Sequence, residues 1–168
     1  MTKRLHLPAA VTLAVLLAAC GGENTTTADH SNDTLPNGMT VKQQIEARQK
    51  ALKDMGAAFK TVNDQLKSSA PALDQIRPAV QTIKTHAAEI GTWFPKGTGP
   101  ESGVETAALP KIWEDEATFQ AAAQRLGDEA GKLSDVATGE DLAAIGAQAG
   151  ATGGACKNCH DNFRKKKE

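Results

Sequence analysis

The chain has 168 residues, a formal charge of −1, 40% hydrophobic residues and only 4% aromatic ones. Such a balance of charge excludes a nucleic-acid binder, which needs a basic excess, and the length suits one compact domain behind an N-terminal segment. Three cysteines are too few for a disulfide framework.

The first stretch has the layout of an export signal. Lys3 and Arg4 precede an apolar run from Ala9 to Ala19 that stops at Cys20, which marks a segment to be removed. The run is shorter than the roughly 20 residues a membrane-spanning helix needs. Leu17-Ala18-Ala19-Cys20 resembles the lipobox of bacterial lipoproteins, which implies cleavage of 1–19 and acylation of Cys20. Losing Lys3 and Arg4 would take the charge from −1 to −3. By the same resemblance, Gly21 in place of an aspartate implies an outer-membrane anchor facing the periplasm. An ordinary secretory cleavage nearby is the alternative. In an oxidising compartment the two remaining thiols need a use.

Residues 20–40 are small and polar after the cysteine and have no periodicity. They predict a flexible tether, with the folded domain over 41–168.

Helical periodicity dominates that domain. Val41, Ile45, Leu52, Met55, Phe59, Val62 and Leu66 follow steps of three and four residues, broken only at Arg48. This is one apolar face of a long helix. A second stripe runs from Leu73 to Ile90, a third from Ile112 to Leu133, and a fourth from Leu142 through Cys156 and Cys159 to Phe163. Ser68-Ser69-Ala70-Pro71 divides the first two helices, a long crossover over 91–113 joins the second to the third, and Gly139 and Glu140 open the fourth. The expected fold is all-α, an antiparallel up-down four-helix bundle with one crossover loop. Pro78 either kinks the second helix or marks its true start, since an interior proline costs about 3 kcal/mol. His86 is expected on a polar, solvated face, and the basic tail Arg164-Lys165-Lys166-Lys167 in the last helical turn, where cations meet the macrodipole favourably.

Cys156, Cys159 and His160 stand at i, i+3 and i+4, so their side chains leave one helix face and are expected to enter the bundle. Cys-x-x-Cys-His is the attachment signature of c-type haem, with thioethers from the two thiols and iron coordination by the imidazole. One such motif implies one haem c per chain. A thioredoxin-like thiol pair would need a βαβ context, and zinc would need further ligands. Gly150, Gly153 and Gly154 either weaken the helix by about 1 kcal/mol each or give clearance to the haem edge. The thin aromatic supply suits a cofactor that fills the core.

Two α1 positions bear on the same site. Arg48 takes a core-stripe position, where a buried guanidinium needs a partner. A haem propionate would supply one bidentately; alternatively the side chain snorkels to the rim. Met55 is either a core gap-filler or a sixth iron ligand.

ARQKALKDM in the first helix, KIW before the third and CKNCHDNFRKK at the end together resemble the cytochrome c′ family of class II c-type cytochromes, here in a lipoprotein form, over about 41–167. The resemblance implies that His160 is the proximal ligand and Arg164 the basic residue beside that face. It also implies that Arg48 and Leu52 belong to the haem pocket, Leu52 as the cap of the open iron side. An apolar, five-coordinate high-spin site would favour NO and CO over O₂, giving nitric oxide binding or buffering with some electron transfer. No catalytic cluster accompanies the motif, so the reading is a binding protein and not an enzyme. Its redox partner is unspecified and a homodimer is left open. Two rivals stand: a low-spin six-coordinate electron shuttle, and a haem-free helical interaction module whose thiols pair.

Overall fold

The structure, a computed structural model, describes residues 29–166. The expected signal segment 1–19, Cys20 and residues 21–28 lie outside the described residues, as does Lys167. Four long helices make up the domain: α1 (Val41–Lys67), α2 (Leu73–Glu89), α4 (Glu116–Val136) and α5 (Leu142–Phe163), with a one-turn α3 (Lys111–Glu114) at the end of the crossover. Among the described residues there is no strand, only two isolated bridges, and no helix long and apolar enough to cross a membrane. The chain is an all-α four-helix bundle. Each long helix packs on its neighbours in the chain, and α5 returns to α1 along the thinnest of the four seams.

Local chemistry fixes the helix starts. Thr40 Oγ1 accepts from Gln43 N–H at 3.2 Å while Gln43 Oε1 accepts from the Thr40 N–H at 2.9 Å, a reciprocal capping box for α1. Asp115 caps α4 and Asp141 caps α5, so the fourth long helix opens just after Gly139 and Glu140. The start of α2 has no cap of its own; Gln65 on α1 accepts from the Ala72 N–H at 3.0 Å and serves instead. Arg77 then reaches across from α2, donating to the carbonyls of Ala137 (3.0 Å) and Gly139 (3.1 Å) at the α4–α5 turn. Pro78 neither starts α2 nor breaks it: the helix runs from Leu73 to Glu89 through it, with Pro78 exposed on the outer face. There the carbonyl that loses its usual partner can bond to water, so the backbone cost is reduced.

The central core is aliphatic and small-chained. Val62, Ile76, Ile83, Leu126, Leu133 and Ile145 are fully buried, with Ala58, Ala79, Ala87, Ala130 and Ala149 between them. Each large side chain contributes about 1.5–3 kcal/mol of burial. Four of the six aromatic residues gather at one end instead: Phe94, Trp113, Phe119 and Phe163 meet edge to face, with centroids 5.0 to 6.3 Å apart.

Two expectations are corrected here. Residues 29–40 are not part of a free tether. Leu35 is buried against Val41, Ile45 and Val104, and the Val41 and Lys42 N–H groups donate to the carbonyls of Asp33 and Ser31. An apolar side chain within a polar stretch gives this segment a place to dock. The basic tail is not a last helical turn either: α5 ends at Phe163, and Arg164 is extended, bridging to Ala108. The Lys165 N–H donates to the Ala107 carbonyl at 2.8 Å, so the crossover offers the tail a backbone partner that a further helical turn would forgo.

Candidate functional site

α5 presents Cys156, Cys159 and His160 close to its C-terminal end, at the end of the bundle where the aromatic cluster lies. All three are half-buried. They do not converge on one set of contacts: Cys156 packs against the central core, whereas Cys159 packs against the cluster of Ala108, Ile112, Phe119 and Phe163. The two cysteines are free thiols. Burial pushes the Cys156 thiol up, and Cys159 is pushed up to about 11, chiefly by burial and further by Cys156. Redox and nucleophilic thiols need the opposite shift, so the pair is ill-suited to thioredoxin-like exchange. His160 is held below its ordinary value by burial first and by Arg164 second, which favours the neutral imidazole that binds metals. Arg164 itself is exposed and donates its N–H to the His160 carbonyl at 3.1 Å.

The α1 side of the site is apolar apart from Arg48. Met55 is buried in the same cluster as Cys156, with Leu52 and Phe59 partly buried beside it. Of the three glycines before the thiols only Gly153 has a near neighbour, since a Cβ there would stand 3.4 Å from Phe59 Cζ; Gly150 and Gly154 face open space.

Arg48 is 2% exposed and does not snorkel. Its Nη1 donates to Thr98 Oγ1 at 2.8 Å, and Nη2 donates to the Thr98 carbonyl at 2.7 Å and to Thr106 Oγ1 at 3.1 Å. Its Cζ lies 4.6 Å from the Phe94 ring centroid and 5.9 Å from that of Trp113. Burial lowers its pKa to about 10, with the charge of Glu101 acting the other way. Among the described residues it forms no salt bridge.

The expectation for His86 is corrected. Its ring is half-buried and edge-on to Trp93 at 5.8 Å, and Nδ1 is buried without a hydrogen-bond partner. The chain turns back at Ile90–Trp93 and lays Trp93 against the end of α2, a long-range event that helix periodicity does not register. Thr98 and Thr106 were also not legible as site residues. The only hint in the sequence is a threonine between two glycines, at 97–99, in a loop that folds under α1.

The chemistry of this donor set fits a covalently attached haem. Two protonated thiols one helical turn apart and a neutral imidazole next to the second supply the attachments. A buried cation without an ion-pair partner is suited to a propionate.

Comparison with known proteins supports the same assignment. The family model described as Cytochrome C' matches residues 43–164. A cytochrome c′ of Alcaligenes xylosoxydans xylosoxydans is 38% identical over 124 residues, which cover 73% of this chain and 94% of that protein. The structure of a cytochrome c′ with an unusual ligand-controlled dimer dissociation superposes with a TM-score of 0.71 at 26% identity, covering 77% of this chain and 99% of that one. The nitric oxide complex of a leucine-to-alanine mutant of cytochrome c prime from Alcaligenes xylosoxidans superposes with a TM-score of 0.68 at 34% identity, covering 76% and 97%. With the bundle, the terminal Cys-x-x-Cys-His on α5 and these matches in agreement, the chain belongs to the cytochrome c′ family, whose members carry covalently bound haem c.

Proposed function

We propose that this protein is a lipid-anchored periplasmic cytochrome c′ that binds nitric oxide, and carbon monoxide as its analogue, at a five-coordinate high-spin haem. Cys156 and Cys159 would hold the haem by thioethers, His160 would be its protein ligand, and Arg48 would meet a propionate. Bound iron supplies the affinity for diatomic gases; the chain supplies selectivity. The observation that carries the reading is the apolar core cluster against which Cys156 packs, to which α1 contributes Leu52, Met55, Ala58 and Phe59. Such surroundings offer bound O₂ no hydrogen bond, so O₂ gains least there. A relative's structure with nitric oxide bound supports the same ligand. Arg164 lies beside His160 and helps keep its imidazole neutral. The role is binding and buffering, without substrate turnover. Anchoring through Cys20 to the outer membrane, with 21–28 as the remaining linker, rests on the sequence motif.

Optical spectra of the oxidised, reduced and nitric oxide-treated protein test this reading. A high-spin reduced spectrum that changes with nitric oxide supports it. One observation keeps an electron shuttle in view: Met55 is buried in the cluster that holds Cys156. A low-spin spectrum indifferent to carbon monoxide would select that reading.

A further inference from the structure

We propose that Thr98 and Thr106 of the crossover loop are positioning residues that hold the Arg48 guanidinium and thereby set the reduction potential of the haem. The inference rests on the haem reading above, with Arg48 as the cation that meets a propionate. The threonines fix that cation from the side of the loop, Thr98 Oγ1 at 2.8 Å, its carbonyl at 2.7 Å and Thr106 Oγ1 at 3.1 Å.

The acceptors are themselves held. The Thr98 hydroxyl donates its proton to the Pro95 carbonyl at 2.7 Å, which leaves its lone pairs turned to Arg48. Thr106 Oγ1 also accepts from the Ala108 N–H at 3.1 Å. Trp113 Nε1 donates to the Phe94 and Pro95 carbonyls at 3.0 and 3.1 Å, fixing the turn that places the Phe94 ring against the guanidinium. On α1 the neighbouring Gln49 donates to the Glu105 carbonyl at 3.0 Å. At its far end the loop is tied to the exit of α5, where the Leu109 N–H donates to the Phe163 carbonyl at 2.9 Å. The loop thus references Arg48 to the helix that carries Cys156, Cys159 and His160.

A structural staple alone does not account for the choice of residue. Every acceptor around Arg48 is neutral, and burying a cation among neutral partners costs desolvation that they offset only in part. The loop contacts engage one Nη1 and both Nη2 bonds, leaving the rest of the guanidinium for a carboxylate. A fixed cation near the haem opposes oxidation of the iron and raises its potential. A loosely held one moves toward solvent and loses that effect.

The test compares haem-loaded parent with Thr98→Val, Thr106→Val, the double variant, Thr98→Ser and Arg48→Ala. Two readouts are taken: the midpoint potential, and the rate at which phenylglyoxal modifies Arg48, followed by peptide mass spectrometry. The valine variants are expected to lower the potential in the same direction as Arg48→Ala. They should also speed Arg48 modification roughly tenfold, the factor that loss of one hydrogen bond to a charged group implies. Thr98→Ser keeps the hydroxyl and should match the parent. If Thr98→Val fails to fold, Thr106→Val decides the matter, because Thr106 is only half-buried. An unchanged potential in the valine variants beside a lowered one in Arg48→Ala would overturn the inference and leave the propionate reading intact. An unchanged potential in Arg48→Ala would remove both.

Discussion

Phe59 on α1 and Gly153 on α5 meet where the two helices close the bundle, with a Cβ at Gly153 standing 3.4 Å from Phe59 Cζ. That approach separates the three glycines before the thiols into one that the packing uses and two that face open space. Alanine at Gly150 or Gly154 is expected to stabilise the protein by about 0.5–1 kcal/mol through helix propensity. Alanine at Gly153 should gain at least as much, because its methyl group would also make van der Waals contact with the Phe59 ring. Denaturant midpoints measure the difference. Poorer haem attachment in Gly154→Ala would instead identify that glycine as clearance for the haem.

Leu52 is only partly buried, so Leu52→Ala should fall toward the low end of the 2–5 kcal/mol range for such truncations. If Leu52 caps the open side of the iron, carbon monoxide should bind faster by orders of magnitude, as followed by stopped flow. Met55→Leu conserves volume and should leave the spectrum unchanged. A conversion to high spin in Met55→Leu would identify the thioether as an iron ligand.

Replacing both Cys156 and Cys159 by Ser is expected to abolish haem that resists acid extraction. It should also loosen the core, since the thiols pack on two separate clusters. Near-ultraviolet circular dichroism and the sharpness of thermal unfolding report the second effect. A fully cooperative double variant of parental stability would show that the aliphatic core suffices without the cofactor.

Glu129 links α4 to α5, accepting from Lys132 at 2.9 Å and from Gln148 at 2.7 Å. These two hydrogen bonds, Lys132 first, hold its carboxyl below the ordinary value of 4.5. Its contribution is therefore present above that value and is lost as pH falls through the depressed one. Glu129→Gln should lose stability relative to the parent near neutral pH, and the gap should close on acidification. Urea midpoints of both proteins between neutral and acid pH measure this gap, and one that stays constant is the result contrary to the linkage.

If Cys20 carries the proposed lipid, Cys20→Ser should release the protein from membranes. Retention of the variant in a salt-washed membrane fraction would refute lipidation at Cys20.

The sequence by itself determined the bundle, its four stripes and the position of the attachment motif near the end of the last helix. Helix periodicity and the i, i+3, i+4 geometry of Cys156, Cys159 and His160 are local properties, carried by contiguous residues and unaffected by what packs opposite. Arg48 was legible as a misfit on a core stripe for the same reason. Its protein partners were not: Thr98 lies 50 residues away, in a loop whose path no periodicity records. Tertiary structure alone decided that residues 29–40 dock, that His86 meets Trp93 with one ring nitrogen buried, and that the tail leaves α5 to pair with the crossover. Pro78 belongs to the same class, since its cost depends on whether the orphaned carbonyl faces water or core. In each case the deciding quantity is what the folded chain places against the residue, which the periodicity of contiguous residues does not record.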